Sequence, residues 1–252
     1  MNDISEPIKI LLLFSVGTIS GFINIMAGGG STLTLPLLIF LGLDASVANG
    51  TNRIGLLFQN LSGVLSFRKE NVSQIKLSLK MGLFTLPGAI IGAFYATKIS
   101  NAFFEKILGV VMIGIVITMM IPSSKEFITE KITGKVPWLI YPIMFLLGFY
   151  GGFIQVGIGF LLMIAIHRVL KMSLLYVNLH KVFIVLIYTI PAILVFAFTG
   201  NINWVYGLSL AAGTGFGAWW SAKIAVKKGA KIIKFFLIFA IIIISLKLLG
   251  VF

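Results

Sequence analysis

Arg53 and Lys181 have the most chemistry to offer in this chain, because of where they stand. Arg53 lies about eight residues into the apolar run Ala45–Phe67, and Lys181 about eight into Ser173–Phe198. An Arg or Lys at the centre of a bilayer costs roughly 2.5–3.5 kcal/mol, and a carboxylate partner is the usual remedy. The seven acids are Asp3, Glu6, Asp44, Glu70, Glu105, Glu126 and Glu130, and all fall in loops or at the ends of runs. Two deep cations without a protein counter-ion make a seat for a small anion. The alternative is that both side chains snorkel to an interface or bond to backbone carbonyls.

Polar residues accompany both cations at helical spacing. Asn49, Asn52/Arg53, Gln59/Asn60 and Gly63 fall near one face, as do Asn178, Lys181 and Tyr188/Thr189. Such a stripe lines a cavity or bonds neighbouring helices, at about 0.6 kcal/mol for each bond. Asn49, Thr51, Asn52, Asn178 and His180 are expected to support an anion held between Arg53 and Lys181. His180 either relays a proton that accompanies the anion or makes a structural hydrogen bond.

Two glycine-rich breaks complete the set. Gly28-Gly29-Gly30-Ser31 and Gly157-Ile158-Gly159 each precede an apolar stretch too short to span comfortably, Thr32–Leu43 and Phe160–Val169. Where a membrane helix is discontinuous, its backbone N–H groups can face an anion. Glycine permits close approach and positive φ, and Ser31 can cap the helix that follows. Tight packing through small residues is the competing explanation. The second break lacks the hydroxyls, so the two would contribute unequally. No metal cluster, phosphate-binding loop or catalytic triad is visible, so neither an enzyme nor a cofactor is expected.

The composition says what must position these groups. The chain is 252 residues, 59% hydrophobic and 11% charged, with a mean hydropathy of +1.09, against roughly 25% charged in a soluble domain. That excludes a soluble enzyme, a nucleic-acid-binding domain and a disordered chain. The net charge of +13 resides mostly in short loops, and the absence of cysteine excludes disulfides and thiolate metal sites. Acids at Asp3 and Glu6 stand where a signal peptide needs bases, so no cleavage is expected. Eight runs are near full length for a span: Ile8–Ala27, Ala45–Phe67, Leu79–Thr97, Ile107–Ile121, Trp138–Val156, Ser173–Phe198, Trp204–Ala222 and Ile232–Phe252. The expected class is an all-α polytopic membrane protein.

The two halves resemble each other. Gly21-Phe22 matches Gly148-Phe149 at an offset of 127, and Gly50-Thr51-Asn52-Arg53 matches Asn178-Leu179-His180-Lys181 at 128. Asn71-Val72 also matches Asn201-Ile202, and the stretch Gly92–Lys98 matches Gly217–Lys223. Residues 1–121 and 138–252 therefore read as two transmembrane repeats, with 122–137 as the linker. If the short runs return the chain to the side it came from, fourteen bases flank one face and four the other; if they do not, the split is nine to nine. Positive bias selects the first arrangement. The expectation is two inverted repeats of about five helical segments each, in the plasma membrane, with both termini outside.

One combination of motifs resembles a known family. Gly21-Phe22-Ile23-Asn24-Ile25-Met26-Ala27-Gly28-Gly29-Gly30-Ser31 is followed by Leu35-Pro36-Leu37-Leu38, Leu41-Gly42-Leu43 and Ala48-Asn49-Gly50-Thr51-Asn52-Arg53. This is similar to the first-half signature of the TauE/SafE family of membrane permeases, the sulfite exporters. The likeness continues through Gly88 and Gly92 and more faintly through the second half. There Gln155-Val156-Gly157-Ile158-Gly159 stands where the family often has a fuller glycine run, and Asn178-Leu179-His180-Lys181 replaces a commoner small-residue and Thr pattern. The resemblance implies a secondary transporter of a small anion, such as sulfite, a related sulfur oxyanion or an organosulfonate, working by alternating access. A non-transporting membrane scaffold and a passive anion channel are the competing functions. The expected partners are the anion and the lipid bilayer, with homo-oligomerisation left open.

Overall fold

The computed structural model describes residues 4–69, 74–120 and 136–224, with isolated positions between 242 and 249. The described residues form helices α1 (Glu6–Ala27), α2 (Ser31–Phe40), α3 (Ala45–Lys69), α4 (Ile75–Ala96), α5 (Asn101–Met120), α6 (Ile140–Phe153), α7 (Ile158–Leu170), α8 (Leu174–Phe198) and α9 (Trp204–Ile224). The linker expected at 122–137 lies almost entirely outside the described residues, as does most of the run Ile232–Phe252. All the other apolar runs coincide with helices, so the molecule is an all-helical polytopic membrane protein.

Local chemistry sets the helix ends. Pro7 opens α1, where the missing N–H costs nothing, and α1 stops at Gly28. α8 ends at Thr199-Gly200, with Gly200 at φ 72° and Asn201 N–H returning to the Phe196 carbonyl at 2.8 Å. Four of these helices, α1, α4, α5 and α8, are long and apolar enough to cross a membrane. α3 has the length of α8, but Asn49, Asn52, Arg53, Gln59 and Asn60 dilute its apolar character. α2, with ten residues, and α7, with thirteen, reach only about 15–20 Å at 1.5 Å per residue.

The helices pack reciprocally between the sequence halves. α1 lies on α9 and α6 lies on α4; α3 packs on α9 and α8 on α4. Glycines bring the first two pairs together. A Cβ on Gly21 would strike the Thr214 carbonyl and one on Gly217 the Thr18 carbonyl. In the other pair, a Cβ on Gly152 would strike the Ala89 carbonyl and one on Gly92 the Phe149 carbonyl. This packing aligns Gly21 with Gly152, one helical turn beyond the match with Gly148 that residue identity gives. Two three-helix clusters result, α1/α3/α9 and α4/α6/α8, each mixing the halves. α3 and α8 pack against each other where the clusters meet.

Candidate functional site

The site forms where α1 and α6 stop. The last carbonyls of a helix have no intrahelical partner and carry a partial negative charge, so a buried end needs donors. At the end of α1, the Asn24 carbonyl accepts from Lys181 Nζ at 2.8 Å and the Ile25 carbonyl from Asn178 Nδ2 at 2.6 Å. At the end of α6, the Gly151 carbonyl accepts from Arg53 Nη1 at 2.9 Å, and the Gly152 carbonyl accepts from Nη2. The Phe153 carbonyl accepts from Asn49 Nδ2 at 2.7 Å. Each half thus sends one cation and one asparagine into the broken helix of the other half. Both cations are fully sheltered, Arg53 at 0% and Lys181 at 1% exposure. The Arg53 guanidinium also lies 4.7 Å from the centre of the Phe196 ring, a cation–π contact.

Beyond the breaks the two short helices begin. Gly28 and Gly29 take φ of 72° and 101°, and Gly157 takes 70°, conformations that a side chain resists. The two turns touch: a Cβ on Gly28 would lie 3.1 Å from the Gly159 backbone, and one on Gly159 would lie 3.2 Å from Gly28 Cα. Asn24 Oδ1 accepts the Gly29 N–H at 2.9 Å, and Thr32 Oγ1 donates to the Gly29 carbonyl at 2.6 Å. Ser31 does not cap its own helix as expected. Its Oγ instead accepts the Gly157 N–H across the junction at 3.4 Å. Neither α2 nor α7 has a side-chain cap, so two helix N-termini, one from each half, open at one junction.

Other expected site residues divide between bonded and unbonded. Thr51 Oγ1 accepts the Asn203 N–H at 2.8 Å, which ties α3 to the start of α9 and commits that hydroxyl away from the junction. His180 Nδ1 meets Ser78 Oγ of α4 at 2.7 Å. In contrast, Asn52 Nδ2, Arg53 Nε, Gln59 Nε2, His180 Nε2, Tyr188 OH and Thr189 Oγ1 are buried without a partner. Buried polar atoms in native proteins are nearly always bonded to protein, water or ligand. Here the unbonded atoms cluster on α3 and α8, the two helices that carry the cations. Asn52 and His180 correspond at the repeat offset of 128, as do Arg53 and Lys181, and Asn60 and Tyr188.

Two contributors escaped the sequence reading as site residues. Gln155, buried at φ 53°, donates Nε2 to the Asn49 carbonyl at 3.0 Å and fastens the α6–α7 turn to α3. Ser78 fixes one nitrogen of His180. Gln155 carries a signal, a lone amide in an apolar stretch next to a glycine break. Ser78 carries none, because a serine near a helix start is unremarkable.

Residues 13–248 match the family described as Sulfite exporter TauE/SafE. The chain belongs to that family. A relative in Sinorhizobium, named Probable membrane transporter protein ORF9, is 29% identical over 99% of this chain and 95% of its own length. The Escherichia coli Probable membrane transporter protein YfcA is 26% identical over 97% of this chain and 91% of its own. The Bacillus subtilis Probable membrane transporter protein YunE is 26% identical over 96% and 97%. No solved structure matches the chain. This TauE/SafE member is therefore a multi-pass membrane transporter.

Proposed function

We propose that the protein is a secondary permease for a small anion, sulfite or another sulfur oxyanion or organosulfonate, working by alternating access. The observation that carries this reading is the meeting of the two glycine turns that lead into α2 and α7, one from each half, where Gly28 approaches Gly159 and Ser31 Oγ accepts the Gly157 N–H. Each N-terminus presents N–H groups and roughly half a positive charge. Arg53 and Lys181 stand beside it on α3 and α8. Arg53 neutralises the C-terminal end of α6, and Lys181 donates to a carbonyl at the C-terminal end of α1, so both helix ends are satisfied beside the starts of α2 and α7. Gly28, Gly29, Gly30, Ser31, Gly157 and Gly159 form the backbone cradle. Asn49, Asn52, Asn178 and His180 surround it, and Thr51 braces α3.

Reciprocal packing of α1 on α9 and α6 on α4 supports two repeats, and the bias of basic residues supports their inversion with both termini outside the plasma membrane. Alternating access then moves the α1/α3/α9 cluster against the α4/α6/α8 cluster, opening the glycine junction to one side at a time. The test is uptake of radiolabelled sulfite, thiosulfate or methanesulfonate into proteoliposomes. Saturable uptake of at least one of these, competed by the unlabelled anion and lost in Gly159→Val, is the expected result. Non-saturating ionic current would establish a channel instead. No flux and no thermal stabilisation by any of the three anions, in folded protein, would leave a scaffold.

A further inference from the structure

The two halves place different cations at equivalent positions, and the difference is chemical. Arg53 keeps its charge under all working conditions, whereas an amine such as Lys181 can gain or lose its proton when buried. Arg53 has two carbonyls and the Phe196 ring to serve its planar fork. Lys181 has one partner among the described residues, the Asn24 carbonyl at 2.8 Å. A single acceptor is satisfied equally well by a neutral amine and by an ammonium.

Among the described residues, no acid forms an ion pair with Lys181. Lys181 is 1% exposed. The other charged and titratable groups on the surrounding elements are Arg53, Arg68 and Lys69 from α3, Tyr95 from α4, Tyr141 and Tyr150 from α6, and Tyr176, His180 and Tyr188 from α8 itself. α4 brings Lys76 and Lys80 at exposed positions, and α7 brings His167 and Arg168 in its last turn. α1 brings Glu6 and Lys9, paired with each other at 2.7 Å, and Glu6 is eighteen residues before Asn24. That is about 27 Å along the helix axis. With one carbonyl as its partner, the buried amine is free to bind an anion, because an unpaired charge in this setting favours recruiting one.

We infer that Lys181 is the proton-coupling residue of the permease: the anion binds with a proton taken up on Lys181 Nζ, and the two leave together. This rests on the anion site proposed above. On binding, the Nζ lone pair forms an N–H bond with a proton from water on the open side. On release, that bond breaks and the proton passes to water on the other side. The site then carries one positive charge more when filled than when empty, and the anion's charge is matched without a sodium ion. Gln59 Nε2 and Asn52 Nδ2, buried and unbonded on the facing helix, supply neutral donors to the same anion.

The experiment is titration calorimetry of the purified protein with thiosulfate and methanesulfonate, from pH 6 to 9, in buffers of different ionisation heat. These anions keep a constant charge over that range, whereas sulfite itself titrates near neutrality. The expected result is uptake approaching one proton per anion, with affinity weakening up to tenfold per pH unit on the alkaline side. Lys181→Arg is expected to bind with no proton uptake and a flat pH profile, and His180→Gln to keep the uptake. Binding by the wild type without proton uptake at any pH overturns the coupling role and leaves the anion site standing. Uptake lost in His180→Gln but kept in Lys181→Arg assigns the proton to His180 and overturns it as well. No binding of either anion overturns the site together with the coupling. The wild-type titration decides the matter even where Lys181→Arg fails to fold.

Discussion

Replacing Arg53 separates its work as a helix cap from the anion-binding role proposed for it. The guanidinium bonds two successive carbonyls at the end of α6, Gly151 at 2.9 Å and Gly152. Hydrogen bonds to a charged group contribute about 1.5–3 kcal/mol each, so the pair is worth about 3–6 kcal/mol. Against this stands the cost of keeping the charge inside the membrane, about 2.5–3.5 kcal/mol on insertion scales. Arg53→Met removes both terms but leaves two buried carbonyls without donors, so destabilisation of about 2 kcal/mol is the expected net effect. Arg53→Lys keeps the charge and reaches one carbonyl, losing the fork, so it should fall about halfway. The assay is denaturant or thermal unfolding of the detergent-purified protein without added anion, in the order wild type, Lys, Met. If Arg53→Met proves as stable as the wild type or more so, the capping argument is refuted. The residue would then be kept at a cost to stability, for the ligand alone.

Gly21→Leu should be among the most damaging single changes, because its Cβ meets the Thr214 carbonyl with backbone on both sides. Overpacking costs about 1–3 kcal/mol or more, and loss of a monodisperse peak in detergent would report it, whereas wild-type behaviour would mean that α1 and α9 can separate cheaply. Asn178→Leu removes the 2.6 Å bond to the Ile25 carbonyl and should destabilise by about 1–3 kcal/mol through the unpaired carbonyl, read by unfolding midpoint. Gln155→Gly relieves a left-handed residue at φ 53° but breaks the 3.0 Å tie to the Asn49 carbonyl. Strain relief of about 1–2 kcal/mol offsets the lost bond, so stability should hardly change while transport falls. A large loss of stability would show that the tie outweighs the strain.

Most of the fold was legible because hydrophobic run length and helix span are nearly the same quantity in a membrane protein. The runs Ala45–Phe67 and Ser173–Phe198 differ from α3 and α8 by one or two residues at an end. Glycine signals were equally plain, since few side chains tolerate the φ of Gly28, Gly29 or Gly157. Bonding of the cations to backbone carbonyls was the alternative the sequence offered, but which carbonyls was not legible. Sequence marks acids, and their absence made a free anion seat the natural expectation; it does not mark backbone carbonyls, which every residue carries. Only the termination of α1 and α6 makes Asn24, Ile25, Gly151, Gly152 and Phe153 into acceptors. Their alignment with α3 and α8 is a property of how the halves pack. The one-turn shift of Gly21 onto Gly152 was hidden for the same reason: residue identity matched glycines, while packing matched the carbonyls they approach.

The placement of the cross-ties limits how the molecule can move. Glycine contacts hold α1 to α9 and α6 to α4 over most of their length, and Thr214 Oγ1 bonds the Gly55 carbonyl to join α9 to α3 at 2.9 Å. Ser78 with His180 likewise joins α4 to α8. Bonds of this kind stay within one cluster. Arg53, Asn49, Lys181, Asn178 and Gln155 do the opposite: every one of their backbone bonds runs between the clusters. A rigid-body movement that preserves the glycine faces must therefore stretch or exchange these six contacts. One end of each bond lies at or beside a helix break, where the glycine turns allow the largest backbone change. A ligand at the junction sits where both the charge and the compliance are concentrated, and it can shift the balance of states only by binding them unequally. The cations are suited to this because each can exchange a carbonyl for an anion without leaving its helix. In the proposed transport cycle, the same residues are caps in the empty protein and ligands in the loaded one.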